Sequence, residues 1–282
     1  MKQRESRYVT VARLAYGLAQ ASLPRYTHPK SPHRFTFPQR AACVMLMFYL
    51  NLSYRDMEEW LLATDQVRAV LALTEVPDHS TLERTFKRLR QSEWDALKQH
   101  LLAAAKHEEA AISIDTTNFR LSHASAYYQT RSGRSYRDWV KGGYAVGTHS
   151  QWVLGWRSGR GAGVDQPYLE PLRRQAGRYG KRIAGRRAWH LLGDSGFDGQ
   201  TTRPDDLIPL QRRNYDPVHP DRRARADLVS AARLDGLYGQ RWKSETVNSV
   251  IKRKFGDTIR SRLLRLQRRE PLVKGLVYDL HR

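Results

Sequence analysis

Three acids sit where acids are expensive unless used. Asp115 follows the apolar run "AISI", Asp194 follows "AWHLLG", and Glu245 stands in the basic stretch "YGQRWKSETVNSVIKRKFG", Tyr238 to Gly256. Carboxylates at strand ends and on a facing helix can converge on a hard cation, because Mg²⁺ takes oxygen ligands and keeps several waters. Two such ions roughly 3.5–4 Å apart activate a nucleophile and stabilise the leaving oxygen of a phosphodiester. Each acid also has a plainer role. Asp115 could cap a turn through Thr116 and Thr117, Asp194 could form an Asx-turn before Gly196, and Glu245 could pair with Arg241 or Lys252. Asp198 competes with Asp194; Asp194 is preferred because it adjoins the apolar run, where a strand would hold it rigidly.

The basic stretch reads as one helix. At about 100° per residue, Tyr238, Arg241, Glu245 and Lys252 fall within roughly 60° of one another, and Asn248 shares their stripe. Such a face can hold a metal at its carboxylate and bind phosphates on both sides of it. Arginine supplies a donor fork, lysine a point charge, and tyrosine a hydroxyl and a stacking ring. Arg253 and Lys254 extend the cationic surface and, with Asn248, join the expected DNA contacts.

Residues 1–110 read as helical. Ser53 caps a helix from Tyr54 with Asp56 in its first turn, Ser80 with Glu83 forms a capping box, and Ser92 caps the helix after it. The last two helices, with Arg84, Lys87, Arg88 and Arg90 on the first, allow a helix-turn-helix; a small bundle with a solvated basic face is the plainer alternative. From Ala110 the pattern becomes strand, strand, strand, helix ended by glycine, strand, short turn, a further strand at "DDLIPLQRR", then helices over 221–256. That order predicts a mixed sheet with helices packed on it. Two polar, basic loops containing aromatics, residues 130–138 and 211–225, suit contact with a nucleic-acid backbone and unstacked bases.

Forty-nine Lys and Arg against 28 Asp and Glu give the 282-residue chain a net charge of +21. A chain this basic expects a polyanion, nucleic acid first and an acidic membrane surface second. Charge is densest at residues 212–282, with 18 basic and 8 acidic side chains. The longest largely apolar run, Ala41 to Leu52, is too short to span a bilayer, and nothing reads as a signal peptide, so no membrane partner and a cytoplasmic location are expected. The single cysteine, Cys43, excludes an internal disulfide or a cysteine-based zinc site and reads as a buried small hydrophobe.

These residues together resemble the DDE transposases of bacterial insertion sequences, the group with a Y-x2-R-x3-E-x6-K signature, matched at Tyr238, Arg241, Glu245 and Lys252. "ISIDTTNF" and "LLGDSGFDG" resemble the segments carrying that family's two aspartates, here Asp115 and Asp194, and "LSYRDMEEWL" and "PDHSTLERTFKRL" its helical N-terminal region. The resemblance implies an α/β fold: a ribonuclease-H-like mixed sheet flanked by helices over 110–282, preceded by an all-helical DNA-binding or dimerisation domain over 1–109. It implies catalysis and metal binding by Asp115, Asp194 and Glu245 with two Mg²⁺ ions, Mn²⁺ able to substitute. The implied partners are double-stranded DNA, as terminal inverted repeats and target, and a second copy in a homodimer at the bacterial nucleoid. Tyr238, Arg241 and Lys252 would hold transposon-end phosphates. Only about 50 residues separate Asp194 from Glu245, so the β-rich insertion that some relatives carry there is expected to be absent. A metal-dependent nuclease without strand transfer and a transposase-derived repressor without catalysis are the alternatives.

Overall fold

The structure is a computed structural model and describes residues 5–28, 30, 33–105, 108–122, 131, 139–211 and 219–282. The chain forms two compact units: Met1–Lys106 with Lys254–Gly256 and Leu276–Arg282, and His107–Arg253 with Asp257–Gly275.

The first unit is helical among its described residues: α1 Arg7–Ser22, α2 Phe37–Leu50, α3 Tyr54–Leu62, α4 Asp65–Val70, α5 His79–Arg88 and α6 Gln91–Ala104. The largely apolar α2 is its centre, with every residue from Ala41 to Met45 fully buried. Cys43 lies there, and burial pushes its thiol up to about 12. Helix starts follow local hydrogen-bonding chemistry. Ser53 and Asp56 form the expected reciprocal cap of α3. The expected cap at Ser80 is not used: α5 starts two residues earlier because Asp78 accepts from the Thr81 N–H, while the Ser80 hydroxyl donates to Asp78. A carboxylate accepts more strongly than a hydroxyl and so takes the capping position. Ser92 is likewise inside α6, whose start is closed by Glu93 accepting from the Arg90 N–H at 2.6 Å. Only Leu89 and Arg90 separate α5 from α6.

The second unit is a mixed sheet flanked by helices. It contains β1 Ala111–Leu121, β2 Trp139–Gly147, β3 Val153–Arg160, α7 Gln166–Ala176, the short β4 Arg182–Ile183 and β5 Arg186–Arg187, β6 His190–Leu192, α8 Pro220–Leu234, α9 Trp242–Phe255, β7 Thr258–Ile259 and α10 Leu264–His281, the ends of α9 and α10 belonging to the first unit. The main sheet runs β3-β2-β1-β6, antiparallel across the first three strands and parallel at β6; β7 also pairs with β1 in parallel. The antiparallel meander followed by a parallel strand is the ribonuclease-H-like order.

Strand alternation gives the sheet two covered faces. On one, a Cβ at Gly143 would meet Tyr168 and Leu172 of α7. On the other, the neighbouring Tyr144 is fully buried and its hydroxyl donates to the Pro271 carbonyl of α10 at 2.7 Å. Glycines at 142, 143, 155 and 159 keep β2 and β3 flat enough for these close approaches. The strand expected at "DDLIPLQRR" reduces to one bridge, Leu207 beside Leu192. Pro209 has no N–H to extend the ladder. The expected loop over 211–225 is half corrected: helix α8 already begins at Pro220, capped by the His219 side chain. Residues 212–218, and 130 and 132–138 of the other expected DNA-contacting loop, lie outside the described residues.

Within the first unit, Lys98 of α6 is paired with Asp279 at the end of α10, both almost fully buried. Removing one member of a buried pair strands the other charge. Asp279→Ala is expected to lower stability by about 3–5 kcal/mol in urea denaturation followed by fluorescence, and Lys98→Met with Asp279→Leu to recover most of it.

Candidate active site

Asp115 lies mid-strand in β1, not at its end, opposite Tyr144 and so on the sheet face that carries α9 and α10. Its two carboxylate oxygens are held separately: one accepts from the Thr116 N–H at 2.9 Å, the other from the Asn248 amide of α9 at 2.8 Å. Burial raises its pKa to about 6 against these two hydrogen bonds, and repulsion from Asp194 and Glu245 adds to the rise. Two residues before Asp115, the Ser113 hydroxyl donates to the Arg241 carbonyl at 3.1 Å and meets the Ser244 hydroxyl at 2.7 Å, which docks the start of α9 on β1.

Asp194 follows Gly193 at the exit of β6 and caps a 3-10 turn, Ser195–Phe197, by accepting from the Gly196 N–H at 2.9 Å. The Asx-turn and the strand-end placement are thus both true, and the turn fixes the carboxylate. A Cβ at Gly196 would lie 2.8 Å from an Asp165 carboxylate oxygen and 3.0 Å from an Asp194 oxygen, so a side chain there would crowd both. Asp198 is consumed by structure. Its carboxylate, 2% exposed, pairs with Arg225 and Arg222 and accepts from the Gln211 N–H. Burial alone would raise its pKa, but these partners hold it below the usual aspartate value.

The basic stretch is not one α-helix. Tyr238–Arg241 is a 3-10 turn and α9 begins at Trp242. The stripe survives because three residues per 3-10 turn eclipse positions 238 and 241. Tyr238 stands under the Arg233 guanidinium at 5.2 Å and donates its hydroxyl to the Gly193 carbonyl at 3.2 Å, tying the turn to the residue before Asp194. Burial raises its pKa. Beneath it, Ala111, Leu192, Leu207, Val229 and Ala232 form the apolar cluster that seats α8 and this turn on β1 and β6. Asp194, Gly196, Arg233, Tyr238 and Arg241 line a groove of about 820 Å³.

Glu245, 52% exposed, pairs with Arg241 at 2.6 Å. Burial of Arg241 opposes its charge, but Glu245, Tyr238 and Asp115 together raise its pKa. The Lys252 ammonium lies 5.9 Å from the Phe119 ring; its pKa falls through burial, opposed by Asp257 and Asp115. Lys252 thus faces the site. Arg253 is exposed, roughly 80° around the helix from Glu245. Lys254 falls roughly 180° from Glu245 and belongs to the first unit, where its ammonium lies 5.5 Å from the Tyr49 ring.

The donors are hard oxygens, as a divalent ion requires, and the Asn248 amide oxygen, beside Asp115, is buried with no hydrogen-bond partner among the described residues. These residues fit a divalent cation. As placed, they are not gathered into a closed ligand set; among the described residues no three His, Cys, Asp or Glu side chains are close enough to hold a metal. Glu245 is instead paired with Arg241. Sequence reasoning missed Asp165, whose carboxylate binds the Thr116 hydroxyl and Lys141 on the opposite sheet face from Asp115. Its only sequence signal is an acid just before a helix.

A model of the transposase DDE domain matches residues 106–280. The chain belongs to the transposase DDE-domain family. No curated protein matches it significantly. The family is one of DNA-cleaving transposases, which act on DNA and generally use divalent metals. A mixed sheet flanked by helices, preceded by a helical region of about 100 residues, is its architecture here. Among the described residues no helix is long and apolar enough to cross a membrane.

Two outcomes follow for this transposase. Because Asp115 binds its proton more tightly folded than unfolded, stability without divalent metal should fall as pH rises from about 4 to about 6, by at most about 2 kcal/mol, and Asp115→Asn should flatten that window in urea midpoints. Asp198→Ala, which strands buried Arg225, should cost about 3–5 kcal/mol, whereas Asp194→Asn, which can still accept from Gly196, should cost about 1 kcal/mol or less.

Proposed function

We propose that the protein is a transposase that binds the terminal inverted repeats of an insertion sequence, cuts the DNA and joins the freed end to target DNA by cut-and-paste transposition. The observation that carries this reading is positional: Asp115 on β1 and Asp194 at the exit of β6 stand on adjacent parallel strands, and α9, which carries Glu245 and Lys252 and follows Arg241, is docked on the Asp115 face through Asn248 and Ser244. A pure DNA-binding protein gains nothing from carboxylates next to phosphates.

In this reading Asp115, Asp194 and Glu245 hold two Mg²⁺ ions, with Mn²⁺ able to substitute. When bound, the ions supply a Lewis acid that lowers the pKa of water and neutralises charge on the leaving oxygen. The chain's own residues do the rest. Arg241 and Lys252 bind phosphates flanking the cut, and Arg253 extends the contact from the exposed side of α9. Tyr238 fixes the exit of β6 through its bond to Gly193 and offers its ring edge to the groove beside Asp194. Asn248 holds Asp115 in place. The active assembly is a homodimer that bridges two ends.

The test combines a labelled terminal-repeat duplex, a plasmid target and Mg²⁺. Joined product is expected. Cleavage without joining would reduce the protein to a nuclease, and a shift without cleavage would leave only a repressor. Asp115→Asn, Asp194→Asn and Glu245→Gln are each expected to lower joining at least about 1000-fold while changing duplex affinity less than about threefold.

A further inference from the structure

Residues 171–193 carry seven basic side chains and no acid, and most of them are not in the site described above. Their centre is a two-stranded ribbon, β4 and β5, with Arg182 opposite Arg187 and Ile183 opposite Arg186. Ala184 and Gly185 between the strands both have positive φ, 49° and 75°, as a tight two-residue hairpin requires. The base of the ribbon is fixed to the unit. The Lys181 N–H donates to the Glu109 carbonyl at 2.8 Å, and the Ala188 N–H to the Lys181 carbonyl at 3.0 Å. A Cβ at Gly180 would collide with the buried Trp189 ring, so the ribbon leaves the body in close contact with that side chain. Arg187 clamps the base through Asp205, Asp206 and the Trp189 carbonyl.

The projecting half has no such partners. Lys181, Arg182 and Arg186 are exposed and have no carboxylate partner among the described residues, and Ile183 beside the tip is 62% exposed. Arg182 stands opposite Arg187, whose charge Asp205 and Asp206 offset, so the unneutralised cations of the ribbon are Lys181, Arg182 and Arg186. Folding alone gives no reason for this charge pattern; a polyanion lying against the ribbon does. The ribbon precedes His190, at the opposite end of β6 from Asp194, about 13 Å away by strand rise. Its ligand is therefore not the phosphate being cut.

We infer that the Lys181–Ala188 ribbon is a second contact with duplex DNA, remote from the cut, in which Lys181, Arg182 and Arg186 neutralise backbone phosphates. A two-stranded ribbon is narrow enough to enter the major groove, which places cations from both strands beside the phosphates that flank it. The inference rests on the proposed function for its choice of duplex DNA over other polyanions.

The test is the salt dependence of duplex binding by the full chain. Each neutralised phosphate contributes a slope of about −0.9 in log K against log salt. Lys181→Ser with Arg182→Ser and Arg186→Ser should flatten the wild-type slope by about 2–3 and weaken binding at least tenfold near 0.15 M salt. Its melting temperature should be unchanged, since these side chains are exposed. Arg186→Lys alone should keep the wild-type slope. An unchanged slope in the triple variant, or one that weakens only binding to anionic vesicles, overturns the ribbon as a DNA contact. A wild-type protein that cuts and joins while the slope is unchanged overturns this inference alone; one that binds no duplex overturns the proposed function with it.

Discussion

The site depends on one hydrogen bond, from the Asn248 amide to the Asp115 carboxylate. Asp115 points from the middle of a central strand into a face covered by helices, where an ionised carboxylate is poorly solvated. Without a donor from α9 the charge would be costly, and without Asp115 the polar contact of α9 with β1 would reduce to that of Ser244 with Ser113. Ser113 and Ser244 fix the translation of the helix on the strand, and Asn248 fixes its rotation. Once that rotation is set, Arg241, Glu245 and Lys252 are brought to the sheet face that Asp115 occupies, and Lys254 is sent the other way. Which cations face the chemistry is thus decided by a neutral amide.

The contrast between Asp194 and Asp198 shows how neighbours assign roles to like residues four positions apart. Both follow β6 and both have backbone N–H groups to accept. Asp198 is also met by two arginines from α8, and its charge is spent in a buried pair. Asp194 meets only the Gly196 N–H among the described residues, with a groove in front of it. A carboxylate retaining open acceptor capacity at a fixed strand end can serve a ligand; one saturated by arginine cannot.

Much of this was legible in the sequence because periodicity carries it. The broad order of strands and helices, the burial of Cys43, the stripe on the last basic stretch and the strand-end position of Asp194 all follow from spacing and apolar runs. What was not legible depends on partners distant in the chain or on competition between near-equal neighbours. Nothing local says that Asn248 will reach Asp115, 133 positions away. Nor does anything local say that Asp165, just before α7, will pair with Lys141 of β2, 24 positions away. Asp78 and Ser80 both make good caps, and the stronger acceptor took the position. The stretch after Asp205 has a strand's composition, but one bridge at Leu207 is all it forms.

The pairing of Glu245 with Arg241 bears on how such a site assembles. The pair joins the 3-10 turn to the first turn of α9, with Glu245 half exposed and Arg241 partly buried, and ion pairs near the surface contribute about 1 kcal/mol or less. That is small beside the interactions a divalent ion and a DNA phosphate offer to the same two groups. Under the proposed function the pair is a resting arrangement: each member keeps the other partly neutralised and near its working position, at a cost of separation too low to hinder either. On that reading Arg241 would turn to a DNA phosphate and Glu245 would be free to hold a divalent ion. The i,i+4 spacing is what makes this possible. It is close enough for the pair to form across the junction of the 3-10 turn and α9, and it leaves the two groups about one turn apart, side by side along the face that Asp115 shares.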